Sequence, residues 1–201
     1  ALNALHESFF EKDLKDIHIF ITGVGNVGGY LIQQIKDQKD FISENLGLNL
    51  KILGISNSKK MLISKKEIDL KNWSVLLNDS NAKADKDIFQ KTIIELNRRN
   101  SLFVDNTASE IIPLTYKDYL KNGVGIITCN KISNSGTLSL YKELRELSRG
   151  HNTPFYYETN VGAALPVIST LKNLINSGDK VLKIEAVLSG TLNYIFNNFQ
   201  E

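Results

Sequence analysis

The sequence predicts an α/β fold, a doubly wound and mostly parallel sheet, and three observations carry that expectation. Short aliphatic runs alternate with segments of helical spacing from residue 17 to about residue 158. The first run enters Gly23-x-Gly25-x-x-Gly28, and a helical pattern follows at once. Four of the runs end in small polar residues, and ligands of such sheets gather beyond the carboxyl ends of the strands.

The elements follow in order. Residues 1–16 precede the first strand. Leu2, Leu5, Phe9 and Phe10 suit a short amphipathic lead-in, and His6 lacks a metal-ligand partner at helical spacing. Ile17, Ile19, Phe20 and Ile21 form the first strand. Gly23 lets the chain turn off the strand, Gly25 leaves room for a pyrophosphate, and Gly28 lets the helix approach the sheet. Phosphates would rest on free N–H groups at the positive end of that helix. The bland alternative is a glycine-rich turn without a ligand. Val27, Leu31 and Ile35, spaced four apart, mark the helical pattern, which is expected to run to about Lys39. Asp40–Asn49 reads as a polar bridge, and Leu50–Ser56 as the second strand.

That strand ends in Ser56-Asn57-Ser58-Lys59-Lys60, without the acid that usually binds a ribose 2′-hydroxyl in NAD-preferring proteins. Hydroxyls and an amide remain for the ribose, and Lys59 or Lys60 for a 2′-phosphate. This favours NADP, with NAD possible; for Lys60, a plain polar turn stays open. Residues 61–84 read as irregular, with Trp73 as a packing residue. Asp85–Arg99 is helical through Phe89, Ile93 and Leu96. Leu102–Asp105 is a strand ending in Asn106-Thr107-Ala108-Ser109. Pro113–Lys121 is a short helix. Gly123–Cys129 is a strand, and Leu138, Tyr141, Leu144 and Leu147 mark a helix before Gly150. Thr153–Glu158 is a further strand. His18 sits inside the first strand and His151 in a loop. Cys129 has no histidine near it in sequence and reads as packing.

The pattern changes after Glu158. A tight turn leads to Pro166 at a helix start, with Val167, Leu171, Leu174 and Ile175 on one face. Lys180–Leu188 alternates like a half-buried strand, and Ser189-Gly190-Thr191 starts a last helix. This divides the chain into a lead-in (1–16), a dinucleotide-binding domain (17–160) and the opening of a second domain (161–201).

Composition narrows the classes. The 42% hydrophobic fraction of 201 residues supports a packed core. With 24 basic against 22 acidic residues, the net charge of +2 offers no footprint for nucleic acid or an anionic membrane. A single cysteine excludes an internal disulfide and fits a reducing, cytoplasmic setting. No apolar run reaches the ~18–20 residues of a membrane helix, and no basic-then-apolar leader is read at Ala1. A start at alanine rather than methionine suggests an excised piece.

Three stretches carry a resemblance. They are the glycine turn; Thr128-Cys129-Asn130-Lys131; and Tyr157–Pro166 together with Leu188–Phe196. They closely resemble homoserine dehydrogenase, and the likeness covers most of residues 17–201. More weakly, residues 1–16 resemble the segment joining the kinase and dehydrogenase parts of bifunctional aspartokinase–homoserine dehydrogenases. The family interconverts aspartate 4-semialdehyde and homoserine with NAD(P)H on the route to threonine and methionine.

The resemblance implies a Rossmann domain followed by the start of an α+β substrate and dimerisation domain. It implies that Gly23, Gly25, Asn26, Val27 and Gly28 hold the pyrophosphate and Ser56, Asn57, Ser58 and Lys59 the adenosine ribose. Thr107, Ala108 and Ser109 would lie along the cofactor. Lys131 would stand where cofactor meets substrate, binding a carboxylate or polarising a carbonyl. Glu158 and the carbonyls of Val161, Ala163 and Leu165 would hold a monovalent cation such as Na+. Gly190 and Thr191 would face the substrate, and Ala164 departs from the family's frequent glycine. The family's run with a glutamate, paired aspartates and a proton-donating lysine would lie past Glu201. Hydride transfer to an aldehyde leaves an alkoxide to protonate, so this piece alone is expected to be nearly inactive. Its second domain is expected to expose apolar surface, and the parent to be a homo-oligomer. Two alternatives stay in view: a non-catalytic NAD(P)-binding regulatory module, and another dehydrogenase of an amino-acid semialdehyde.

Overall fold

A computed structural model describes residues 14–163, 165–187 and 189–199. The expected lead-in over residues 2–10, His6, Ala164 and Leu188 lie outside the described residues. Six strands form one sheet in the order β3-β2-β1-β4-β5-β6. They are β1 (Lys15–Thr22), β2 (Leu48–Ser56), β3 (Met61–Ile63), β4 (Ser101–Asp105), β5 (Gly125–Thr128) and β6 (Phe155–Tyr156). Every pairing is parallel except β2 with β3, which is antiparallel.

The sheet is covered on both faces, as parallel sheets are. Phe20, Leu53, Phe103 and Ile126 point to one face, where they meet Phe89, Tyr116, Tyr119 and Leu144. Those partners come from α3 (Lys86–Leu96), α4 (Tyr116–Lys121) and α6 (Leu138–Gly150). Ile19, Ile21, Ile52, Ile55 and Val104 point to the other face, against Ile32, Ile35 and Leu77. These come from α1 (Asn26–Leu46) and α2 (Trp73–Asp79). Trp73 packs at the edge of this second cluster, as its packing reading expected.

Three expectations need correction. Helix α1 does not stop near Lys39; it runs through Asp40–Asn45 to Leu46, and Gly47 ends it in the left-handed conformation (φ 62°). Polarity alone does not stop a helix; the first breaker does. Its buried face is Gly28, Ile32 and Ile35, while Val27 is 60% exposed. Residues 61–84 are not irregular but contain β3 and α2. The strand expected over Lys180–Leu188 is absent from the described residues: residues 180–187 pair with no strand and are exposed. An alternating pattern needs a neighbouring strand to satisfy its backbone, and none lies there among the described residues.

Helix α7 (Val167–Asn176) is fastened to the sheet domain. Glu158 accepts from the backbone N–H of Ile168 and of Ser169, both at 2.8 Å. The Lys172 ammonium lies 4.4 Å from the centre of the Tyr157 ring, a cation–π contact. Helix α8 (Gly190–Asn198) is exposed along its length.

Candidate cofactor site

The register of the sheet builds the site. Thr22 of β1 pairs with Ser56 of β2 and with Asp105 of β4, and Asp105 pairs with Thr128 of β5. Ser56, Thr22, Asp105 and Thr128 therefore form one row across four parallel strands, and all four are buried. Each strand ends at or just beyond this row, so their loops open along a single edge. The β1 crossover through α1 goes to one side of the sheet and β4 lies on the other. The crevice between them is the switch point where open α/β sheets bind ligands.

The glycine turn sits over that crevice. Gly23 has φ +89°, and a side chain there would lie 2.8 Å from Asn106 and from Thr107. At Gly28 a Cβ would stand 2.2 Å from the carbonyl oxygen of Gly23. At Gly25 nothing lies within 4 Å of a Cβ. Gly23 and Gly28 thus serve the protein's own packing, whereas Gly25 faces open space. Helix α1 starts there with no side-chain cap and no acid in its first turn. Its first N–H groups are left for an anion, and the helix dipole favours one. Asn106 Nδ2 is buried without a hydrogen-bond partner among the described residues, 3.4 Å from where a Gly28 Cβ would be. An open cradle, an uncapped helix start and an orphaned donor suit a dinucleotide's phosphates.

A buried polar network holds the next loop. Asp105 accepts from the N–H of Thr107 at 2.7 Å and from the Tyr116 hydroxyl at 2.6 Å. Asn130 Nδ2 lies 3.2 Å from Asp105 and 2.8 Å from the Ser109 carbonyl. Burial and the neighbouring Asp105 push the hydroxyl of Tyr116 well above the usual phenol range, so it stays a donor. Burial, then Asp105, also push the Cys129 thiol up. That keeps it protonated and agrees with a packing role.

A cleft of about 340 Å³ opens between the ends of β1 and β2 and the start of α3. Thr22, Gly23, Ser56, Asn57, Ser58, Thr107 and Ser109 line it, all from the strand ends read as ligand-facing. The sequence reading missed Ala84, Asp85, Lys86, Phe89 and Tyr119 in its walls. Ala84, Asp85, Lys86 and Phe89 arrive because the β2–β3 hairpin and α2 fold back, with Ala84 N–H donating to the Lys59 carbonyl at 2.9 Å, whereas Tyr119 comes from α4. Asp85 was legible as a helix start, and its Oδ1 accepts from Asp87 and Ile88 N–H at 2.9 Å each. Its place in the cleft was not legible, because that depends on the hairpin.

The remaining expected residues are placed as follows. Asn26 and Val27 are exposed at the mouth of the turn, and Ala108 is exposed in the Thr107–Ser109 loop. Lys131 is exposed at the start of the short helix α5 (Ile132–Ser135), just past β5 on the same edge of the sheet. Gly190 and Thr191 open α8 and line no part of the cleft. Both Glu158 oxygens cap α7. The Leu165 carbonyl accepts from Val167 at 2.9 Å, while the carbonyls of Val161 and Ala163 accept nothing among the described residues. By type these oxygens are hard donors, with both carboxylate oxygens turned to the N–H groups of α7.

Fold and crevice together define a Rossmann-type dinucleotide-binding domain. A model of the homoserine dehydrogenase NAD-binding domain matches residues 23–158, and a homoserine dehydrogenase model matches residues 166–201. The chain belongs to the homoserine dehydrogenase family. It is 44% identical over 200 residues to a chloroplastic bifunctional aspartokinase/homoserine dehydrogenase 2 of Arabidopsis thaliana, covering 99% of this chain and 22% of that one. It is 35% identical over 184 residues to the homoserine dehydrogenase of Schizosaccharomyces pombe, covering 90% of this chain and 49% of that one. Among solved structures, a Candida auris protein of unknown function is 30% identical with a TM-score of 0.79, covering 91% of this chain and 50% of that one. A hyperthermophilic archaeal homoserine dehydrogenase in complex with NADPH is 24% identical with a TM-score of 0.63, covering 81% of this chain and 50% of that one. At that identity the likeness shows the fold. The chain spans about a fifth of the bifunctional relative and half of the S. pombe one. No helix among the described residues is long and apolar enough to cross a membrane.

Proposed function

We propose that this chain is the cofactor half of an NADP-dependent homoserine dehydrogenase within a longer, bifunctional aspartokinase parent. The observation that carries the reading is the buried row Ser56–Thr22–Asp105–Thr128 beneath a glycine turn whose middle glycine faces open space. Residues 17–160 act as the dinucleotide domain, and residues 161–201 open the substrate and dimerisation domain of a cytoplasmic homo-oligomer.

In this reading the turn from Gly23 through Asn26 and Val27 to Gly28 holds the pyrophosphate on the N–H groups of α1. Ser56, Asn57 and Ser58 face the adenosine ribose, with Lys59 just outside the cleft, and Thr107, Ala108 and Ser109 run toward the nicotinamide. The bound cofactor supplies hydride to the aldehyde carbon of aspartate 4-semialdehyde, or accepts it from homoserine. Lys131 on the same edge binds the substrate carboxylate or polarises the carbonyl. Gly190 and Thr191 complete the substrate wall once α8 is covered. A monovalent cation such as Na+ bound by Glu158, Val161, Ala163 and Leu165 would stiffen the turn between the two parts.

Titration of the chain with NADPH and with NADH, followed by nucleotide fluorescence, tests the reading. Saturable binding, tighter for NADPH, is expected. Failure to bind either would overturn it. The chain alone is expected to show almost no homoserine-dependent reduction of NADP, since oxidising the alcohol needs a base to take its proton and Gly190 and Thr191 line no part of the cleft.

A further inference from the structure

We propose that Lys86, at the first position of α3, is the residue with which this cleft distinguishes a 2′-phosphate from a 2′-hydroxyl. The inference rests on reading the cleft as the adenosine end of the cofactor site. The lysines at the end of β2 are the obvious candidates, but neither lines the cleft. The Lys60 ammonium donates to the carbonyl of Asn78. The Lys59 N–H is held by Asn57 Oδ1 at 2.7 Å, and its side chain does not line the cleft. Lys86 is the one cation among the described residues lining the cleft, which it shares with Ser56, Asn57 and Ser58.

Lys86 is also available. Its ammonium pairs with Asp87 at 2.6 Å, but the Asp87 side chain is 73% exposed against 29% for Lys86. Ion pairs open to water hold weakly, so the long side chain can exchange Asp87 for a phosphate in the cleft. A doubly charged phosphate is the stronger acceptor. The neighbouring wall residue sets the balance. Asp85 keeps Oδ1 on the N–H groups of Asp87 and Ile88, and its negative charge opposes a phosphate while its other oxygen can accept from a ribose hydroxyl. Asp85 and Lys86, consecutive on the same wall, thus pull the preference in opposite directions.

The test is binding by the 201-residue chain, with NADPH and NADH and with 2′,5′-ADP and 5′-AMP as probes of the adenosine end. Lys86→Gln is expected to weaken NADPH and 2′,5′-ADP by roughly 10- to 150-fold, the loss of one hydrogen bond to a charged group. NADH and 5′-AMP should stay within about twofold. Lys86→Arg should retain the preference, and Lys59→Gln should change it less than Lys86→Gln. Asp85→Asn preserves a good helix cap and should shift the preference further toward NADPH. Equal weakening of both cofactors by Lys86→Gln, no change at all, or a larger effect of Lys59→Gln would overturn the inference while leaving the cofactor site standing. A wild-type chain that binds none of the four probes would overturn the site itself and the role of Lys86 with it.

Discussion

Replacing Gly25 by alanine separates folding from ligand binding. A Cβ at Gly25 meets nothing within 4 Å, and its φ of −77° is not in the left-handed region. The fold should therefore tolerate the change within about 1 kcal/mol, the ordinary range for a substitution that clashes with nothing. The same methyl projects into the space read as the pyrophosphate cradle. Displacing the phosphate from even one N–H of α1 loses a hydrogen bond to a charged group, about 1.5–3 kcal/mol. That corresponds to roughly 10- to 150-fold in affinity. Gly28→Ala is the control of opposite character. Its Cβ would stand 2.2 Å from the backbone oxygen of Gly23, which only a backbone shift relieves, so it should destabilise by about 3 kcal/mol or more. Urea denaturation with NADPH titration on both variants decides the matter. A Gly25→Ala protein that binds NADPH like wild type would refute the placement of the pyrophosphate, and a fully stable Gly28→Ala would refute the close helix–strand approach.

Tyr116→Phe removes the hydroxyl that donates to Asp105 at 2.6 Å and sits 2.8 Å from the Thr128 hydroxyl; it should cost about 2–4 kcal/mol, and a loss under about 1 kcal/mol by urea denaturation would contradict the network's role. Glu158→Gln replaces the carboxylate that caps α7 and should lower stability by about 0.5–2 kcal/mol; sodium should raise the melting temperature of wild type and not of this variant, measured against a large organic cation at equal ionic strength. Burial raises the Asp16 carboxyl, but hydrogen bonds from Lys51 and Asn49 outweigh it and hold the group below its ordinary value. Its contribution is therefore complete above about pH 4 and is lost as pH falls through the depressed value, so Asp16→Asn should flatten the acid limb of the stability curve, and a steeper limb would contradict the pairing.

The sequence made the carboxyl-edge site legible because each of its parts is local. A strand, a glycine turn and a helix lie within residues 17–46, and the polar strand ends announce themselves by residue type. What escaped was non-local or energetic. Val27 is four residues before Leu31 and fits a helical face on spacing alone. The face actually buried is the one that lets Gly28 approach the Gly23 carbonyl, so the contact chose the register. Met61–Ile63 is too short to show a period, and it becomes a strand only because β2 offers an open edge beside it. Residues 180–187 show the converse: their alternation is clear, but no partner strand among the described residues makes use of it, and Leu182 is 94% exposed. The roles of Asp85 and Lys86 needed the hairpin and α2 to bring residue 84 back to residue 59.

The Asp105 network shows how a sheet can fix a flexible ligand edge. A carboxylate with no solvent exposure is tolerable only if its hydrogen bonds are made. Here the donors come from the Thr107 backbone, Tyr116 and Asn130. Satisfying the charge therefore orders the Thr107–Ser109 loop from beneath, leaving its upper side to a ligand. Asn130 extends the same constraint. Its Oδ1 accepts from Ile132 N–H at 3.1 Å, one residue past Lys131, and its carbonyl accepts from Asn160 Nδ2 at 3.2 Å. One buried acid thus sets the loop along the crevice, the helix that begins after Lys131 and the turn that leads into α7. The geometry of this sheet edge is largely a consequence of burying one carboxyl group.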